Sequence, residues 1–209
     1  MKELLLEKDY QKGSPDALSI VLGEDVVGNP VITDLTKTPH LLVAGATGMG
    51  KSVFLNALIM SLVTKYGPED LRLVLVDPKQ VEFTIYENLP HLLINQIITE
   101  AQLCIGILDW AIDEMELRYK IFRSCYAQKI DEYNNAINPK TQRKMPKIVI
   151  IIDELGDLFS ISSQVKHDIE ERIKRLTQKA RAAGIHVVVA TQRPDVTVIT
   201  GVIKTNLPS

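Results

Sequence analysis

The sequence predicts an α/β domain built on a mostly parallel sheet with helices on both faces. Three observations carry that prediction. Apolar runs at 40–44, 71–76, 148–152 and 185–190 are largely continuous rather than alternating, as in strands buried on both faces. The long segments between them place apolar residues at helical spacing. Strand and helix then alternate from residue 40 onward, the order that builds parallel crossover units. A chain of 209 residues is enough to bury a core of its own without disulfides or a structural metal.

Each element follows from local chemistry. Residues 1 to about 17 are polar and poorly patterned and read as a lead-in, leaving 18–209 as the domain. The apolar stretches 17–22 and 31–33 flank the turn pair Gly28-Asn29, which predicts a small hairpin. A strand at 40–44 leads into a helix from 52 to about 65, with Val53, Leu55, Leu58, Ile59 and Leu62 on its apolar side and Gly67-Pro68 as its stop. The strand 71–76 ends at Asp77-Pro78. A long helix is expected from about 100 to 123, burying Leu103, Ile107, Trp110, Ala111, Leu117 and Ile121. Residues 134–146 read as a polar loop, and 148–152 as the most hydrophobic strand. Val165, Ile169, Ile173, Leu176 and Ala180 mark another helix, with Gly184 as its left-handed C-terminal stop before the strand 185–190. There is no internal repeat and no sign of a second core.

Composition narrows the function classes. Hydrophobic residues make up 45% and charged residues 24% of the chain, ordinary values for a globular domain and unlike a disordered or low-complexity one. No apolar run approaches the ~18 residues of a membrane helix, and no signal peptide is visible. The net charge of -2 argues against bulk affinity for nucleic acid or membrane surfaces, so any DNA contact must be local. Cys104 and Cys125 lie outside any metal-ligand spacing and read as small hydrophobes in a reduced, cytosolic protein.

Two motifs carry chemistry, and a third is open. Gly45-Ala46-Thr47-Gly48-Met49-Gly50-Lys51-Ser52 matches the phosphate-binding loop in full, between a predicted strand and a predicted helix. Its backbone amides, with that of Val53, would converge on the phosphates of ATP at a helix N-terminus. Lys51 would reach the β- and γ-phosphates, and the Ser52 hydroxyl would take one Mg²⁺ position. The strand ending at Asp153-Glu154 delivers two carboxylates to the same sheet edge. Asp153 would hold Mg²⁺ through water, and Glu154 would act as general base on the attacking water, which argues for an ATPase over a nucleotide switch. At the next strand tip, Gln192 could bond both that water and the γ-phosphate, or could belong to a plain turn begun by Pro194.

Beyond these motifs, the chain resembles the FtsK/SpoIIIE family of DNA translocases. The resemblance runs from about residue 18 and adds Val76-Asp77-Pro78-Lys79, Asp113-Glu114-Met115-Glu116-Leu117-Arg118-Tyr119, Lys179-Ala180-Arg181-Ala182-Ala183-Gly184 and Thr191-Gln192-Arg193-Pro194 to the phosphate loop. The segments 22–30, 90–93 and 198–208 continue it. Ala46, Met49 and the Leu155-Gly156-Asp157 segment depart from the family's usual residues. The resemblance implies a RecA-like P-loop NTPase motor domain, shorter at its C-terminal end than the family's. It would pump double-stranded DNA through a homo-hexameric ring in chromosome partition at cell division or sporulation. It also implies an arginine reaching each ATP site from the next subunit, with Arg181 and Arg118 as candidates. Their bland alternatives are a cation near a helix C-terminus and an i,i+4 partner of Glu114.

DNA contacts fall by the same resemblance on Arg193 and Lys204, and between Lys166 and Lys204 eight basic residues stand against four acids. Phosphate contacts of that kind bind without sequence preference. The implied setting is the cytoplasm, without direct membrane contact from this part, in a parent protein anchored in the bacterial inner membrane. The rival readings are a secretion-type ring ATPase that moves protein and a non-catalytic nucleotide-binding module. Thr191-Gln192-Arg193-Pro194 followed by 198–204 disfavours the first, and intact Lys51, Asp153 and Glu154 disfavour the second.

Overall fold

The computed structural model describes residues 10, 14, 16–46, 48–138 and 141–207. Two strands, β1 (Ser19–Glu24) and β2 (Pro30–Asp34), form the expected antiparallel hairpin, with a register irregularity between Val21 and Gly23. Its turn is organised by Asp25, whose carboxylate accepts from the amides of Val27 and Asn29. The main sheet holds β3 (His40–Ala44), β4 (Leu71–Val76), β5 (Lys147–Ile152) and β6 (Ile185–Thr191). All its pairings are parallel, in the order β3-β6-β5-β4. Every carboxyl end therefore lies on one edge, and the last strand in sequence is wedged between the first and the third.

Helices cover both faces. On one side lie α1 (Lys51–Lys65) and the hairpin; on the other lie α2 (Ala101–Ser124) and α5 (Ser163–Lys179), with the short α4 (Leu155–Phe159) and α6 (Gly201–Asn206). The period-2 geometry of a strand divides β5 between them. Ile148, Ile150 and Ile152 join the α2/α5 core, while Val149 and Ile151 join the α1 core. Full burial of each such side chain stabilises the fold by about 1.5–3 kcal/mol, which is why this strand reads as an unbroken apolar run.

Four expectations need correction. First, α2 buries Cys104, Leu108, Ala111, Ile112, Met115, Arg118 and Phe122, whereas Leu103, Trp110 and Leu117 are exposed. The helix carries two adjacent apolar stripes, and the buried one is disguised by an arginine and a cysteine. Second, Gly184 is left-handed (φ 72°), but α5 ends earlier, at the Ala180 cap. The glycine instead closes a turn into β6, where a Cβ would come within 2.6 Å of Ile130 Cδ1. Third, the polar loop begins later than expected, because α3 (Ile130–Ala136) is helical. Fourth, most of the lead-in lies outside the described residues, yet Tyr10 is buried and its hydroxyl donates to Ser61 O on α1. Cys104 is buried as expected, and burial pushes its thiol up to about 12; Cys125 is exposed. No helix of the described residues is long and apolar enough to cross a membrane.

Candidate nucleotide site

The phosphate-binding loop leaves β3 at the carboxyl edge and enters α1 through Gly50. Gly48 (φ 83°) and Gly50 (φ 87°) are left-handed, conformations that a side chain would strain. Met49 N donates to Ala46 O and Phe54 N to Gly50 O, so the curl closes on itself and passes directly into helix. Thr47 lies outside the described residues. Ala46, Gly48, Met49, Gly50 and Val53 are exposed, Gly45 and Ser52 half-buried. The amide-bearing loop thus faces outward at a helix N-terminus, where partial positive charge favours phosphate.

Lys51 and Asp153 meet although 102 positions separate them. Lys51 Nζ lies 2.6 Å from Asp153 Oδ1 and 2.7 Å from Asp153 O, with both residues buried. Burial holds the Asp153 carboxyl above its usual range; Asp77 and Glu82 push it the same way, and Lys51 opposes them. Ser52 Oγ donates to Glu82 Oε1 at 2.5 Å. Asp77 is fully buried and accepts from five consecutive backbone amides, those of residues 79–83, which fixes the loop carrying Glu82. Sequence reasoning left Asp77 as a strand end and missed Glu82 altogether. The available signal was an Asp-Pro pair ending a strand at the ligand-binding edge.

Glu154 sits beside this cluster, 1% exposed. Its Oε1 accepts from Thr191 Oγ1 at 2.6 Å and from Gly156 N at 3.1 Å, and its Oε2 accepts from Gln192 N at 2.6 Å. Thr191 was another residue the sequence did not single out. The structure therefore gathers Lys51, Ser52, Asp153 and Glu154 at one edge, with the Gln192 backbone among them. Lys79 pairs with Asp157 at 3.0 Å across the start of α4.

Could this cluster hold Mg²⁺? The donors are hard oxygens: the Ser52 hydroxyl and the carboxylates of Asp153 and Glu82. Among the described residues there is no ready-made cage of three or more metal-ligating side chains. That fits an ion that keeps waters and takes phosphate oxygens with one or two protein ligands. The mutual repulsion of Asp153, Asp77 and Glu82 is also the environment that a dication relieves.

The two arginine candidates differ sharply. Arg118 is 2% exposed, and its guanidinium donates to Glu114 Oε1, Pro146 O and Ala183 O within the chain. As folded it presents nothing to a neighbour. Arg181 is exposed in the turn before β6, at the amino edge of the sheet and so opposite the phosphate loop. It lines a cavity of about 600 Å³ together with Lys37, Lys129, Lys179 and His186. Arg193 and Lys204 are both exposed, the first just past β6 and the second on α6.

The comparisons with known proteins agree with this geometry. A DNA translocase FtsK of Clostridium tetani is 50% identical over the whole chain, and one of Helicobacter pylori is 47% identical over the whole chain. The chain spans only 28% and 24% of those relatives' lengths. Among solved structures, the pCW3 conjugation coupling protein TcpA with ATPγS superposes with a TM-score of 0.74 at 29% identity, covering 97% of this chain and 55% of that one. The cytoplasmic domain of the type VII secretion ATPase EccC from Thermomonospora curvata gives 0.76 at 28%, covering 96% and 24%. The FtsK/SpoIIIE family model matches residues 1–196. A match of that extent, together with identity near one half over the whole of this chain, leaves one assignment: the chain belongs to the FtsK/SpoIIIE family.

Proposed function

We propose that this chain is the ATP-hydrolysing part of a motor that moves double-stranded DNA through a homo-hexameric ring during chromosome partition. The observation that carries the catalytic half is the junction of Lys51 with Asp153 beside Glu154, at the edge where the phosphate loop opens. The DNA half rests on relatives named DNA translocase at about half identity. The secretion-type reading draws on EccC, but at 28% identity that likeness is the weaker of the two. The cytoplasm is the setting that suits this part.

Each side chain has a role in this reading. Lys51 exchanges its bond to Asp153 for the β- and γ-phosphates of ATP, a swap between anions that leaves the ammonium paired throughout. The amides of residues 45–53 orient the phosphate chain. Ser52 and Asp153, with Glu82 nearby, hold Mg²⁺. When bound, that ion neutralises phosphate charge and polarises the γ-phosphoryl group. Glu154 accepts a proton from the attacking water, and Gln192 contacts that water and the γ-phosphate. Arg181, too remote to serve its own site, offsets charge in a neighbouring subunit's site, a contribution worth about 10³–10⁵ in rate where such arginines act. Arg193 and Lys204 contact DNA phosphates.

ATPase assays of the full protein with and without duplex DNA test the reading. Duplex should raise turnover, and Lys51→Ala should abolish nucleotide binding. Glu154→Gln should bind ATP normally and turn over about 100-fold more slowly, the usual contribution of a positioned base. A rate indifferent to DNA overturns the motor, and wild-type turnover in Glu154→Gln removes Glu154 as base.

A further inference from the structure

Thr191 is the last residue of β6, fully buried, at the point where the sheet order brings β3, β6 and β5 side by side. Its backbone oxygen accepts from Gly45 N, the first residue of the phosphate loop, at 3.2 Å. Its hydroxyl donates to Glu154 Oε1 at 2.6 Å. The same oxygen accepts from Arg193 N at 3.0 Å. A hydroxyl has one proton to give, and the carboxylate at 2.6 Å takes it in preference to Arg193 O at 3.5 Å. One residue therefore joins the phosphate loop through its backbone and the carboxylate and the segment carrying Arg193 through its hydroxyl.

The next residue tightens the link. Gln192 N donates to Glu154 Oε2 at 2.6 Å, so both oxygens of Glu154 are held by residues 191–192. The far side of the carboxylate is closed as well. A Cβ placed on Gly156 would lie 3.0 Å from Glu154 Oε1, 3.2 Å from Val198 Cγ2 and 3.6 Å from Arg193 Cδ. Arg193 and Val198 thus pack against the turn that carries Glu154. The 192–198 segment therefore shares contacts with the turn and with the carboxylate.

We infer that Thr191 is a positioning residue for Glu154 and relays the state of the Arg193 segment to it, coupling DNA contact to hydrolysis. Before DNA binds, Thr191 and Gln192 hold Glu154 against the tip of β6. When Arg193 engages DNA phosphates, the 192–193 peptide shifts, Oε2 loses its amide donor, and Thr191, with Gly156 N on the same oxygen, steers the carboxylate toward the attacking water. This rests on the reading of Glu154 as base and of DNA as the stimulating ligand.

The test compares Thr191→Val, Thr191→Ser and Glu154→Gln in the full protein, measuring kcat and KM for ATP with and without duplex DNA. Thr191→Val keeps the shape and loses both hydroxyl bonds, the donor to Glu154 and the acceptor for Arg193 N. The ratio of DNA-stimulated to basal kcat should fall about tenfold, the scale on which one hydrogen bond to a charged group shifts an equilibrium. KM should stay unchanged, because the backbone bond to Gly45 survives, and Thr191→Ser should restore the ratio. An unchanged ratio in Thr191→Val, with Glu154→Gln slow and wild type stimulated by DNA, overturns the relay alone. Loss of the ratio in both threonine variants makes the residue a packing element and also overturns it. Fast turnover in Glu154→Gln, or a wild type indifferent to DNA, strikes the underlying reading instead. A measurement on wild type needs no variant to fold: amide exchange at residues 191–193 should accelerate when duplex is added in the presence of ADP, and unchanged exchange overturns the relay.

Discussion

At the scale of single residues, Arg118 and Arg181 show how burial decides what a charge can do. Arg118 is held by two backbone carbonyls from different segments, Pro146 O and Ala183 O, and by Glu114. Burial lowers its guanidinium pKa from the ordinary value, and Glu114 opposes that shift. Removing it strands those carbonyls and leaves a cavity. Arg118→Ala should therefore lower unfolding free energy by about 3–5 kcal/mol, the cost of breaking a buried, hydrogen-bonded ion pair from one side. Arg181→Ala, an exposed change, should stay within about 0.5 kcal/mol of wild type while reducing ATPase in assembled protein. Urea unfolding of both variants checks the contrast. Equal stability losses would mean that the Arg118 bonds contribute nothing net.

Among elements, α2 is where pattern and packing diverge. Both its apolar stripes satisfy helical spacing, so periodicity alone does not choose between them. The structure buries the one containing Leu108 and leaves Leu117 half exposed. Leu108→Ala should cost about 2–5 kcal/mol through lost transfer energy and a residual cavity. Leu117→Ala should cost under about 1 kcal/mol in the isolated chain. Thermal or denaturant melts of the pair measure the difference, and a reversed order would place the wrong face inward. β5 is the opposite case. With both faces covered, every residue had to be buried, and the run 148–152 was unambiguous.

For the molecule as a whole, the amino edge of the sheet carries a pH dependence. His40 Nδ1 accepts from Val187 N, and His186 Nδ1 donates to Pro39 O. Burial pushes His40 down to about 3, with His186 and Arg181 adding to the shift. Burial likewise pushes His186 down to about 4, against the bond to Pro39 O. Unfolded histidines titrate near 6.5. Between those values the unfolded chain binds more protons, so stability rises with pH there. The contribution is fully present above about pH 6.5 and is lost as pH falls toward 4 and then 3, by up to about 1.4 kcal/mol per pH unit for each proton. Urea midpoints should fall steadily from pH 6.5 to 4.5. His40→Gln or His186→Gln should flatten that slope while lowering stability at pH 7.5; a slope unchanged in both variants would assign the acid sensitivity to carboxylates.

What the sequence by itself determined was whatever depends on neighbours along the chain. Strand runs, the glycines of the phosphate loop and the Asp153-Glu154 pair are local patterns set by adjacent residues, and each took its expected place along the chain, although β3, read as buried on both faces, keeps Leu41, Leu42 and Val43 half-buried and Ala44 exposed. Tertiary structure alone decided which groups from distant segments meet. Sheet order places β6 between β3 and β5 and so brings Thr191 to Glu154 across 37 positions, while the shared carboxyl edge of the parallel strands brings Lys51 to Asp153 across 102. Glu82 reaches Ser52 because Asp77 ties down five amides of an otherwise featureless loop. Arg118, which reads as a surface cation in an i,i+4 pair, became a buried strut because two chain segments turned their carbonyls toward it. Spacing along one element reports that element's periodicity; hydrogen-bond satisfaction in a core is a property of all the elements around it.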